Sequence, residues 1–391
     1  MTSLSTCLPK PSFQHPEISN LPDHLHNSCL IPRNLSFQRL GIVSQQRLCK
    51  KVNMARCSHQ AEALVDSKTQ ISDVPILTCS EALERLKKNR ENQKGKQRFL
   101  AMYSSIFGGI TTDTAAMVIP MDDHMVHRGH GVFDTSAIVD GHLYELDQHL
   151  DRILRSASMA KINIPFDRET IRRILIQTVS VSKCKTGSLR YWLSAGPGDF
   201  QLSPSDCHQP ALYAIVIQDQ SPHDSRGIKV VTSSVPMKPP QFATMKSVNY
   251  LPNALSKMEA EENGAYASIW LDSDGFIAEG PSMNVAFVTK EKDLLMPAFD
   301  RILSGCTAKR VLTLAEGLVK QGKLHGIKIG DVTVEEGKKA DEMMLIGSGV
   351  LVRRCGAVGQ SGKEGPITQA LLTLILEDMR SGPPAVRVPV P

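Results

Sequence analysis

The chain has 391 residues, 41% of them hydrophobic and 22% charged, with 45 Lys+Arg against 40 Asp+Glu and a formal charge of +5. That length suits two domains and a packed core, and the composition excludes collagenous and disordered classes. The longest apolar run, Ala211 to Ile217, is far short of the roughly 20 residues a membrane-spanning helix needs. A soluble globular protein is expected.

The charge excess is local. Residues 1–60 carry seven basic residues and only Glu17 and Asp23 as acids, so residues 61–391 hold 38 of each sign and are formally neutral. This acid-poor segment with its eight serines reads as an organellar transit peptide, with cleavage expected between Cys49 and Ser72. Once it is set aside, nothing in the sequence resembles a nucleic-acid motif. Four of the nine cysteines (Cys7, Cys29, Cys49, Cys57) lie in the leader, and the others are widely spaced with no CxxC. Such spacing predicts reduced thiols, not a disulfide framework or a cysteine zinc site.

Within an N-terminal extension at 61–98, Thr78-Cys79-Ser80-Glu81 has capping-box spacing before a charged helix running to about Arg90. Val132–Val139 and His142–Glu145 flank Asp140-Gly141, a two-residue hairpin signal. Leu146, Leu150, Ile153, Leu154 and Ala157 mark one helix face, and a second helix starts near Asp167. Strands at Leu189–Ser194 and Leu212–Ile217 close a small N-terminal α/β domain at 99–220, followed by an interdomain linker at 221–227. In the larger domain, 228–391, a strand at Ile228–Val235 and a Pro-rich loop precede a helix from Pro252 to Asn263. A hairpin at Tyr266–Leu271 and Phe276–Glu279 comes next, then a strand at Asn284–Val288 and a helix at Thr307–Lys320. A strand at Met343–Ile346 and a last helix near Thr368–Met379 complete the chain. Hairpins mixed with helices predict an α+β, mixed α/β architecture.

Several residues stand out for chemistry. Glu279 is a carboxylate in an apolar hairpin, where it needs water or a partner that offsets its desolvation; a heteroaromatic N–H is such a partner. Lys246 has no other charged residue between Lys238 and Lys257, and a lysine in weakly polar surroundings forms Schiff bases readily. Leu303-Ser304-Gly305-Cys306-Thr307 opens a helix and suits an anion, and Gly347-Ser348-Gly349 offers a second nest. Against these stand His124, His127 and His130 beside Asp122 and Asp123, the pattern of a metal-dependent hydrolase.

Lys246-Ser-Val-Asn-Tyr-Leu-Pro-Asn and Glu279-Gly-Pro-Ser-Met-Asn284 come after Gly129-His-Gly131-Val-Phe133-Asp134 and His149-Leu-Asp-Arg152. In that order, with Leu303–Thr307 after them, they resemble the class IV (fold type IV) pyridoxal-phosphate aminotransferase family. The likeness runs from about Phe99 to Met379 and is closest to the plant chloroplast D-amino-acid transaminase and aminodeoxychorismate lyase group.

The resemblance implies a two-domain fold type IV enzyme (D-amino-acid aminotransferase-like) with pyridoxal 5′-phosphate between the domains, a homodimer, and residence in the chloroplast stroma. Lys246 would hold the cofactor and move the substrate proton, Glu279 would keep the pyridine nitrogen protonated, and Arg152 would grip the phosphate as a bidentate fork. Cys306, Thr307 and Ser348 would complete the phosphate cup, Leu303 would pack beneath the ring, and Tyr250 would sit by the phenolic oxygen. The Arg-x-His pair that bacterial D-amino-acid transaminases place after the glycine matching Gly196 is absent here, and their tyrosine is Phe133. Arg190 and Arg128 are therefore the candidates for the substrate carboxylate. The implied reaction is D-amino-acid transamination with a 2-oxo acid, joined by cleavage of aminodeoxychorismate to 4-aminobenzoate and pyruvate. Branched-chain L-amino-acid transamination is the alternative.

Overall fold

Strand alternation and helix faces assemble residues 75–391 into one unit of two large sheets and a small two-stranded one, in a computed structural model that describes residues 74–92, 97–219, 227–356 and 365–391. The transit peptide expected at 1–60, the adjoining 61–73 and the linker positions 221–226 lie outside the described residues. Thr78 and Glu81 do exchange capping-box bonds ahead of helix α1 (Cys79–Asn92).

The first sheet is antiparallel throughout. Its strands are β1 (Gln97–Ser104) and β2 (Gly109–Thr111), then, after the short helix α2 (His124–Arg128), β3 (Gly131–Val139) and β4 (His142–Tyr144). Helices α3 (Leu146–Met159) and α4 (Arg168–Ser182) precede β5 (Gly187–Ser194) and β6 (Ala211–Asp219). The apolar stripes of α3 and α4, including Leu150, Ile153, Ile171 and Leu175, bury against Ile138, Leu189 and Val216 of the sheet. Neither β1 nor β2 was expected from the sequence. Gly129 closes α2 in the left-handed region at φ 69°, where a Cβ would meet Asn249 Oδ1 at 2.3 Å.

The second half begins with β7 (Val230–Thr232), α5 (Pro240–Ala243), α6 (Leu251–Glu262) and β8 (Ala267–Ile269), β7 and β8 forming a small parallel pair. Next come β9 (Glu279–Gly280), β10 (Met283–Val288), β11 (Asp293–Met296), α7 (Cys306–Lys320), β12 (Gly326–Ile329) and α8 (Val334–Lys339). The chain closes with β13 (Glu342–Gly347), β14 (Leu351–Cys355), α9 (Pro366–Ser381) and β15 (Arg387–Pro389). The second sheet runs β12-β11-β10-β13-β14, with β9 paired to β10. Every residue of β10 is buried because both faces are covered: Ala286 and Val288 meet α7 and α9, while Val285 and Phe287 face the β7–β8 side. This two-sided burial explains an apolar run without alternation. The sequence placed a longer strand at Ile228–Val235; the strand is Val230–Thr232, Ile228 makes an isolated bridge to Cys355, and prolines at 236, 239 and 240 punctuate the stretch that follows.

The last strand does not stay with the residues that precede it. β15 pairs with β4, giving the first sheet the order β15-β4-β3-β5-β6-β1-β2. At that junction Glu145 adopts φ 52° and its N–H donates to the Val386 carbonyl at 2.7 Å. Its carboxylate is buried, with Oε2 lacking a hydrogen bond among the described residues. Burial pushes Glu145 up to about 7, with His149 and Arg310 opposing. The folded protein thus binds this proton more tightly than the unfolded chain does. Its contribution to stability is present below pH 4.5 and is lost as pH rises through about 7. Glu145→Gln is expected to stabilise the protein at pH 8 by about 3 kcal/mol, with the gain shrinking toward pH 5. Thermal melts of both proteins across that range measure it.

Candidate active site

The segment carrying Lys246 is stitched to β3. Phe133 N–H donates to the Lys246 carbonyl and Val248 N–H to the Gly131 carbonyl, each at 3.0 Å, while Lys246 N–H donates to Ser156 Oγ at 3.2 Å. The backbone of the lysine is therefore fixed and its side chain projects into a cavity of about 570 Å³. There Nζ lies 3.3 Å from the Tyr250 hydroxyl and 4.6 Å from the centre of the Phe133 ring, which meets the Tyr250 ring edge-on at 5.0 Å. Tyr250 owes its place to the start of α6.

Glu279 enters from β9, paired with Asn284 of β10. It is buried, and Leu303 N–H donates to its Oε2 at 3.2 Å. Asn284 Nδ2 donates to the Leu303 carbonyl at 2.9 Å, so these two side chains clamp Leu303 at both ends. Burial pushes Glu279 up to about 8, opposed by Lys238, the Leu303 hydrogen bond, Lys246 and Arg152. By itself this carboxyl holds a proton at neutral pH; a cationic partner would keep it ionised.

The clamp leads into Gly305, which precedes α7 without any side-chain cap, leaving N–H groups of the first turn directed at the cavity. A Cβ on Gly305 would sit 2.1 Å from Asn284 Oδ1, so the close turn requires glycine. Thr307 Oγ1 and Ser348 Oγ lie 3.2 Å apart at the rim. Leu303, Cys306, Thr307, Ser348, Arg152 and Arg190 all line the cavity.

One edge of the Arg152 guanidinium is held by Asp134: Nε donates to Oδ2 at 2.8 Å and Nη2 to Oδ1 at 2.7 Å, with Nη1 donating to the Ser304 carbonyl at 3.2 Å. The remaining Nη1 and Nη2 N–H groups and the positive charge are left for an anion. One expectation needs correction. Arg128 is outside the cavity lining; it is exposed and donates to the Phe200 carbonyl. Its helix turns it toward the 196–201 loop and away from Lys246.

Asp134 also accepts from His149 Nδ1 at 2.7 Å. Burial works against the charge on His149, yet Cys306 and Asp134 push it up to about 10. Burial likewise opposes the charge on Asp134, but Arg152 and His149 hold it well below the usual carboxylate range. Asp134 thus links Arg152 and His149 into one buried cluster. Sequence reading assigned Asp134, His149, Asn284 and Lys238 no role. The His149-x-x-Arg152 spacing on one helix face, opposite a carboxylate in an apolar strand, was the available signal.

The three histidines do not form a metal centre. His124 Nδ1 faces His130 Nδ1 at 3.2 Å, His124 Nε2 faces the Gln201 carbonyl at 3.3 Å, and His130 Nε2 faces the Ala160 carbonyl at 2.7 Å. Among the described residues no group of three or more His, Cys, Asp or Glu is placed to hold a metal. No helix there is long and apolar enough to cross a membrane.

Comparison with known proteins fits this geometry. The family model for amino-transferase class IV matches residues 131–358. The D-amino-acid transaminase, chloroplastic, of Arabidopsis thaliana is 65% identical over 359 residues, 90% of this chain and 93% of that protein. The D-alanine aminotransferase of Bacillus licheniformis is 27% identical, covering 71% of this chain and 97% of its own length. The branched-chain amino acid aminotransferase of Thermobaculum terrenum, solved in its PLP form, aligns with a TM-score of 0.64 at 20% identity, over 75% of this chain and 99% of that one. The last likeness concerns the fold, which is mixed α/β and of type IV.

The cavity's donors suit pyridoxal phosphate. An anion-binding helix start, an amine and a buried carboxyl that needs a cationic partner lie in one space large enough for a cofactor and a substrate. Asp134→Asn should leave Arg152 and His149 as uncompensated buried cations and destabilise the fold by about 3–5 kcal/mol. Denaturant unfolding of the two proteins would show the loss; an unchanged midpoint would remove Asp134 from this role.

Proposed function

The chain belongs to the class IV aminotransferase family, a pyridoxal-phosphate enzyme family, and from that premise we propose that it transfers the amino group of D-amino acids to a 2-oxo acid. The observation that carries this reading is the 65% identity to a D-amino-acid transaminase over 90% of the chain, and the cavity supplies the chemistry. We further propose cleavage of aminodeoxychorismate to 4-aminobenzoate and pyruvate at the same site, since both reactions begin by removing a proton from the carbon bearing the amine.

When bound, pyridoxal phosphate supplies an electron-withdrawing ring that acidifies the substrate Cα. Lys246 holds the cofactor and its Nζ moves the Cα proton, with the Tyr250 hydroxyl 3.3 Å away as its hydrogen-bond partner. Glu279 keeps a proton on the ring nitrogen. The N–H groups of Cys306 and Thr307, with the Thr307 and Ser348 hydroxyls, fix the phosphate, while Arg152 supplies charge. Leu303 supports the ring face. Arg190, whose guanidinium is 5.2 Å from the Phe133 ring centre and whose Nε donates to Thr135 Oγ1 at 3.2 Å, holds the substrate carboxylate.

The proposal extends to assembly and address. Leu251, Leu255 and Met258 form an exposed apolar stripe along α6, with Phe242 nearby in sequence and also exposed. A second copy covering that stripe would make the homodimer. The two lobes are proposed to divide at 221–227, and the basic N-terminus to direct the chain to the chloroplast.

Purified protein should show a visible absorption that borohydride bleaches with covalent attachment at Lys246, and Lys246→Ala should lose both. With 2-oxoglutarate as acceptor, turnover of D-alanine should exceed that of L-leucine. The reverse order would replace this reading with a branched-chain one, and absence of 4-aminobenzoate from aminodeoxychorismate would remove the lyase reaction.

A further inference from the structure

The charges around the cavity exceed what these roles use. Among the described residues its lining carries Arg152, Arg190, Lys238 and Lys246 as basic groups and Glu279 as the acidic one. A phosphate is matched to Arg152 and the start of α7, the ring nitrogen to Glu279, the aldehyde to Lys246, and one carboxylate to Arg190. Lys238 is left over.

Its placement is specific. Lys238 lies between Pro236 and Pro239-Pro240, in a loop tied down on its N-terminal side by Trp270 Nε1, which donates to the Val235 carbonyl at 2.9 Å. Met237 packs against the Trp270, Ala278 and Ile302 cluster. Proline restricts the backbone on both sides, so the lysine is presented and not loosely tethered. Nζ sits 4.9 Å from the centre of the Tyr250 ring, and no described residue gives it a hydrogen-bond acceptor. A half-buried ammonium beside an aromatic face, with no hydrogen-bond acceptor among the described residues, has given up water without a full replacement. Burial accordingly pushes the Lys238 ammonium down, with Tyr250 and Glu279 opposing.

We propose that Lys238 is a specificity-determining residue that binds a second carboxylate, so that the site prefers substrates with two carboxylates over those with one. Arg190 and Lys238 both border the Phe133–Tyr250 aromatic pair, with Lys246 reaching both rings. One carboxylate meets Arg190, the reacting carbon faces Lys246, and the other carboxylate displaces whatever solvent Lys238 retains. The ligand class is a 2-oxo or 2-amino dicarboxylic acid, and a ring-borne second carboxylate, as in aminodeoxychorismate, has the same chemistry. This inference rests on the transaminase reading above.

The test uses the holoenzyme with saturating D-methionine, whose oxo acid is neither acceptor, and measures KM for 2-oxoglutarate and for pyruvate. In Lys238→Met the ratio of the two KM values should rise about ten- to a hundredfold, and Lys238→Arg should restore most of it. Aminodeoxychorismate cleavage by Lys238→Met, assayed separately, should show a matching rise in KM if the ring carboxylate uses the same lysine. An unchanged 2-oxoglutarate-to-pyruvate ratio overturns the proposal, as does an equal rise in both values. A shift in the pH dependence of the visible absorption with the ratio unchanged also overturns it, because Lys238 would then act on Glu279. Loss of the borohydride-sensitive absorption in the unsubstituted protein would sink the transaminase reading instead, which keeps the two failures distinct.

Discussion

Asp134 accepts two hydrogen bonds from Arg152 and one from His149 inside the protein, and Arg152 then reaches the Ser304 carbonyl. These contacts join β3, α3 and the loop that opens α7. The first sheet and the helix start therefore face each other across a defined gap. A buried ion cluster is weak evidence for stability, because desolvation offsets most of the attraction. Its value here is geometric: with one edge of Arg152 held by Asp134, the remaining donors point to one place.

The same economy governs the opposite wall. Lys246 is positioned by backbone bonds to β3, so its side chain alone is free to work. Glu279 and Asn284 share the short β9–β10 pairing and grip Leu303 from its two ends. The turn that presents Gly305 thus depends on the carboxyl that faces the cavity. Reagent and scaffold are the same residues, so substitution at Glu279 would disturb both the charge and the shape of the site.

Much of this was legible from the sequence because it depends on local pattern. The helix face from Leu146 to Ala157, the Asp140-Gly141 hairpin and the spacing from Lys246 to Glu279 survive in the structure. The features that were not legible depend on long-range closure. β1 pairs with β6 and β15 with β4, contacts that no periodicity announces. α2 ends on a glycine whose left-handed conformation is a property of the folded cap. The hold of Asp134 on Arg152 was not legible either, since the two are eighteen residues apart in sequence and on different elements. Lys238 went unassigned because a lysine between prolines carries no sign of what it faces.

Charge distribution ties the levels together. Residues 61–391 are formally neutral, yet the described lining of the cavity has four basic groups and one carboxyl. A surplus of basic groups in the cavity of a formally neutral chain favours anionic ligands there. The carboxyl in that lining is the exception that makes the arrangement selective. Burial pushes Glu279 up to about 8, so in isolation it tends toward a neutral acid. A ligand that brings a protonated ring nitrogen to Glu279 restores its charge and gains an ion pair; one that brings only anionic groups does not. The phosphate and carboxylates would then be bound by the cations, and the ring nitrogen at Glu279 would set the orientation. That asymmetry distinguishes a site built to hold one cofactor in one direction from a general anion pocket.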